Sequence, residues 1–112
     1  MNDNMKKVGV ALRSGLYEQT VEALQDEKGF CCLGVMCMVY EKETGIKLDR
    51  DKKGFIYGGD LNDQEGVREW VGLRKDDGAS AIRASLVHLN DEGHTFAAIA
   101  DFIESEPRGL LE

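Results

Sequence analysis

The chain has 112 residues, a formal net charge of −7, and 42% hydrophobic and 31% charged residues. That length holds one core and leaves no room for a second domain, and the composition is that of a soluble globular protein. The acidic balance opposes generic nucleic-acid binding, which depends on basic side chains releasing counterions, and no apolar run reaches the roughly 18 residues of a membrane span. The opening MNDNMKKVGV lacks the apolar region and cleavage site of a secretory signal, so a cytoplasmic protein is expected. Cys31, Cys32 and Cys37 are an odd set whose first two members are adjacent, which predicts free thiols in a reducing compartment.

In chain order, Val8, Ala11 and Leu12 share one side of a helix over residues 5–13, closed by Ser14 and Gly15. Tyr17, Val21 and Leu24 fit a second helical stripe, but the turn chemistry of DEKG equally allows residues 20–25 to pair with 28–32 as a hairpin. From Cys32 to Tyr40 the run is apolar apart from Gly34, which predicts a central buried helix stopped by EKET and Gly45. Residues 46–63 read as loop, with only FIY resembling a short strand. Val67, Trp70 and Val71 predict a short helix with the tryptophan facing inward. Ser80 is the expected cap of a helix with Ile82, Leu86 and Leu89 on one face, broken by NDEG. Thr95 caps the next, with Phe96, Ile99, Ala100 and Ile103 in one stripe before Pro107. The expected fold is a single α+β domain over residues 1–112, mostly helical, with a buried central helix and a small β-hairpin or pair of short strands.

The segments ALRSGLYEQ (11–19), FCCLGVMC (30–37), GVREWVGL (66–73) and SLVHLNDEGHTFAAIADFIE (85–104) together resemble a family of small, mostly uncharacterised bacteriophage and prophage proteins. The resemblance implies a phage or prophage origin and an extended segment before the cysteines; it carries no activity and no functional residues. A second, local similarity joins Cys32-Leu33-Gly34-Val35, Val39-Tyr40 and Gly45-Ile46-Lys47-Leu48 to the nucleophile helix of NlpC-type papain-like peptidases. There a cysteine opens a buried helix, and the helix N-terminus lowers the thiol pKa. On that reading Cys32 is the nucleophile of a hydrolase or transferase, His88 the base, and Asn90 or Asp91 the group that orients the imidazole. The chain departs from the pattern with leucine at 33 and cysteine at 31, and His88 falls on a helix where those enzymes carry their base on a strand.

The preferred expectation is therefore a non-enzymatic accessory protein that binds a host protein or sequesters a small ligand, with the cysteines as buried small hydrophobes. No cofactor and no metal site is expected, since the cysteines lack zinc-ligand spacing. The candidate contact residues are Arg50 and Lys53 beside the glycine-rich FIYGGD loop, Phe55 and Tyr57 within it, and Asn90 and Asp91 in the LNDEG turn. Asn90 and Asp91 read first as a local hinge that bonds neighbouring backbone groups, and second as lining for a pocket at the Cys32 helix terminus. The Leu110-Leu111 tail docks either on a partner or on its own core, and a homodimer is a further possibility.

Overall fold

A computed structural model describes residues 1–82 and 85–112. Its first helix, α1 (Asp3–Arg13), begins two residues ahead of the predicted start because the Asn2 side chain accepts from the Met5 N–H and caps it. Met5, Val8 and Leu12 form its buried stripe, and Ser14 closes it. Residues 17–24 form no helix, and the hairpin is shorter and later than the expected pairing of 20–25 with 28–32. Strand β1 (Gln25–Asp26) pairs antiparallel with β2 (Gly29–Phe30), Gln25 opposite Phe30 and Asp26 opposite Gly29. Gln19 adds a parallel bridge to Phe30, so the preceding segment runs extended beside the hairpin.

Helix α2 (Cys32–Thr44) is the centre of the molecule: Cys32, Leu33, Gly34, Val35, Met36, Cys37 and Val39 are all buried. Over residues 32–37 the helix has no solvent face to define an amphipathic stripe and is covered on every side, whereas its last turn, at residues 42–44, is exposed. Covering comes from α1, from the hairpin, and from the short helices α3 (Glu65–Val71) and α4 (Leu86–Asp91). The fifth helix, α5 (Phe96–Glu104), packs on α1 and α4, with Phe96, Ile99, Ala100 and Ile103 buried as their spacing predicted. Thr95 caps it, accepting from the Ala98 N–H at 3.1 Å. Gly45 ends α2 in the left-handed region (φ 76°), the stop anticipated after EKET. Together these elements make a small α+β domain, mostly helical.

Three sequence expectations change. The cap of α4 is Ser85, whose Oγ accepts from the His88 N–H, and not Ser80; Ile82 is 59% exposed and takes no part in a buried face. The portion of that expected helix over residues 83–84 lies outside the described residues. The FIY stretch contributes only a bridge between Arg50 and Ile56. Trp70 is half-buried and meets Tyr40 edge-on, with ring centroids 5.6 Å apart. The Leu110-Leu111 tail docks on its own core: Leu110 is buried, Leu111 bridges to Leu73, and Arg68 holds Glu112 at 2.6 Å. Among the described residues no helix is long and apolar enough to cross a membrane.

On α2 itself, Glu41 is buried and grips Arg50 through both carboxylate oxygens at 2.7 Å, while it also accepts the Leu48 N–H. The Arg50 guanidinium holds the Glu41 carboxyl below its usual range, against the opposing effect of burial. A depressed folded pKa contributes stability that is complete above the unfolded carboxylate value near 4.5 and is lost as pH falls through the folded value. Glu41→Gln is therefore expected to cost about 2 kcal/mol at neutral pH and to flatten the acid side of the stability profile. Urea titrations of both proteins between neutrality and pH 3 check this. Parallel profiles would show that the pair contributes nothing to acid sensitivity.

Candidate functional site

The candidate residues separate into three places. At the first, Asn90 is fully buried where the LNDEG turn meets the N-terminus of α2. Its Oδ1 accepts from the Cys32 N–H at 3.1 Å and from Gln19 Nε2 at 2.9 Å, and its Nδ2 donates to the Thr20 carbonyl at 2.7 Å. A helix leaves its first N–H groups without intrahelical partners, and Cys31 supplies no side-chain cap, so Asn90 completes the start of α2 from 58 residues away. Asp91 accepts from the Glu22 N–H at 2.9 Å and so fixes a non-glycine residue at φ 65°. The local-hinge expectation is corrected in this respect: Gly93 does turn the chain (φ 96°), but Asn90 and Asp91 tie down distant backbone. Asn90 does reach the Cys32 helix terminus, as a buried cross-link, while the exposed Asp91 holds Glu22.

Cys32 is fully buried, with its sulfur 3.7 Å from the Leu86 carbonyl oxygen, whereas the His88 side chain is 54% exposed and pairs with Glu92 at 3.0 Å. The structure thus places the supposed nucleophile inside and the supposed base outside α4. Cys31 is the residue at the helix cap. N–H groups of Leu33 and Gly34 point toward its sulfur and favour the thiolate, yet burial outweighs them and pushes its pKa up to about 11. Burial pushes Cys37 up to about 12, and raises Cys32 as well. In the native protein all three thiols are expected to resist alkylation by iodoacetamide at pH 8 until the chain unfolds, read site by site by mass spectrometry. Fast labelling of Cys32 alone would contradict the burial described and favour thiol chemistry.

The second place is the loop face. Arg50 is occupied by Glu41, so it does not face an anion site. Lys53 and Phe55 do line an open cleft of about 510 Å³ between the hairpin and the 51–55 loop, where Asp26, Glu27 and Asp51 offset Lys52 and Lys53. Asp51 is itself engaged, accepting the N–H groups of Lys53 and Phe55. Tyr57 stands 64% exposed. Among the described residues no group of His, Cys, Asp or Glu is arranged to hold a metal ion.

The third place was missed by the sequence reading. One face of α1, at Lys7, Val10, Ala11 and Ser14, and one face of α2, at Val39, Lys42 and Glu43, wall a cleft of about 300 Å³ closed by Leu16 and Tyr17. Val10 is 72% and Leu16 82% exposed. The available signal was Val10, an apolar residue off the buried stripe of α1, close in sequence to Leu16.

Fold and surface together define a small α+β domain with a buried polar clamp, an apolar interhelical groove, and no assembled set of catalytic groups among the described residues. Residues 1–107 match the family described as Domain of unknown function (DUF8296), and the chain belongs to that family. Neither the curated proteins nor the solved structures give a match.

Proposed function

We propose that this is a non-catalytic binding protein of phage or prophage type that engages a host protein in the cytoplasm through the groove between α1 and α2. The observation that carries the reading is the pair Val10 and Leu16, large apolar side chains left in solvent at the edge of an apolar cleft. Single exposed apolar residues are ordinary, but two that flank one concavity are a contact surface in form. Burial of the three cysteines and the separation of Cys32 from His88 support binding over thiol catalysis. The shared CCLGV and LNDEG motifs support the phage-type origin. Sequestration of a small ligand would draw on the Lys53–Phe55 cleft, where the surrounding acids offset the lysines and make a protein partner the better reading.

A photo-crosslinking residue at position 16, in protein added to bacterial lysate, is expected to give discrete adducts that vanish when Val10→Glu is introduced. The same probe at Lys75, outside the groove, should give none of them. Adducts indifferent to Val10→Glu, or absent altogether, would remove the groove from consideration.

A further inference from the structure

We infer that the groove between α1 and α2 receives an acidic amphipathic helix of a partner protein, which inserts two apolar side chains and sets a carboxylate against Lys42. The inference rests on the groove being the working surface and names the chemistry of its occupant.

The geometry comes from the walls. Lys7, Val10, Ala11 and Ser14 are spaced i, i+3, i+4 and i+7, so the α1 wall is one helix face two turns long, about 10 Å at the rise of an α-helix. Val39, Lys42 and Glu43 are likewise i, i+3 and i+4 on α2. A trough between two helix faces admits a third helix, whose anchors at i and i+3 or i+4, about 5–6 Å apart along its axis, fit within that length. Its volume of about 300 Å³ is roughly twice that of an engineered cavity that holds one benzene, which is room for two apolar side chains.

The charge comes from the rim. Lys7 is paired with Glu43 at 2.7 Å, while Lys42 has no carboxylate within ion-pair distance among the described residues. The groove edge is therefore net positive in a chain of net charge −7, a local reversal that attracts carboxylates and disfavours a basic partner. A second copy fits less well. Symmetric pairing through this face would set two net-positive rims against each other, and two chains of −7 repel as they approach.

A helical-peptide display library selected on the intact protein, with counter-selection on Leu16→Glu, tests the occupant. The expected winners carry two apolar residues at i and i+3 or i+4 with flanking Asp or Glu. They should lose about fivefold or more in affinity toward Lys42→Glu, and weaken with added salt. Winners that depend on Leu16 but are neutral or basic, or that ignore Lys42→Glu, would overturn the acidic occupant and leave the groove reading standing. No Leu16-dependent winner would sink both. Sedimentation showing a dimer that Leu16→Glu dissociates would assign the groove to a second copy and overturn the inference. Val10, Leu16 and Lys42 are exposed, so each variant is expected to keep the fold, and a thermal melt of each one checks this.

Discussion

Gly34→Ala is expected to cost the protein about 3 kcal/mol or more, enough to leave much of it unfolded. In the interior of an exposed helix the same change would stabilise by about 1 kcal/mol, because alanine is the better helix former. Here a Cβ would lie 2.8 Å from the Leu24 carbonyl carbon and deep within the van der Waals shell of its oxygen. The obstacle is backbone, and it is fixed from two sides: the Cys31 N–H donates to the Leu24 carbonyl and the Leu24 N–H donates to the Gly58 carbonyl. Relief requires the hairpin segment to lift off α2, losing the burial of Leu24 with it. Gly9→Ala is the control, since a Cβ there meets nothing within 4 Å and α1 should gain. Urea denaturation of the three proteins reads the result. A Gly34→Ala protein as stable as the wild type would mean that Leu24 does not cross α2 as described.

The second large effect is expected at Asn90. Alanine there removes both partners of a buried polar junction, leaving the Thr20 carbonyl, the Cys32 N–H and the Gln19 amide without the Asn90 side chain. Each unmet buried group costs about 1–3 kcal/mol, so a loss of about 3–5 kcal/mol is expected. Asn90→Asp should be little better: ionised, it cannot donate to Thr20 and buries a charge, and to donate its carboxyl must stay protonated at neutral pH, which itself costs stability. Native-state hydrogen exchange is expected to show the Cys32 amide, which donates to Asn90, losing protection ahead of those in α5. If Asn90→Ala left both stability and exchange unchanged, the clamp would be incidental to the fold.

Local signals were enough for the helices whose logic is local. Thr95 and the stripe at Phe96, Ile99, Ala100 and Ile103 specify α5 without outside help. The uniform run from Cys32 announced a buried helix because no part of it could face water. The segment at 17–25 was undecidable on the same terms. Its helical spacing competes with an extended path that exists only because Gly34 leaves room for Leu24 and because Asn90 and Asp91 hold the backbone at Thr20 and Glu22. Val21, one member of the apparent stripe, is 45% exposed in consequence. Ser80 and Ser85 are both adequate caps by residue type; the choice between them was made by packing, which buries Leu86 and leaves Ile82 out. Arg50 looked like a free cation because its partner Glu41 is nine positions away on another element. The groove was least legible, since a concavity belongs to two helices and to neither alone.

The clamp at Asn90 also orders events in time. Its bonds to residues 19, 20 and 32 close loops of 71, 70 and 58 residues, and contacts so distant in sequence pay their loop-closure entropy before they stabilise anything. During synthesis the chain emerges from its N-terminus, so the start of α2 and the segment beside the hairpin must wait for α4 to leave the ribosome. Until then the apolar start of α2 has part of its cover missing, and the nascent chain passes through an interval in which the helix destined for the centre of the core is exposed. A two-residue-per-strand hairpin is too small to bridge that interval alone. The dependence of the early half of the chain on residue 90 makes folding a late, concerted step, and truncation ahead of α4 is expected to yield aggregation in place of a stable fragment.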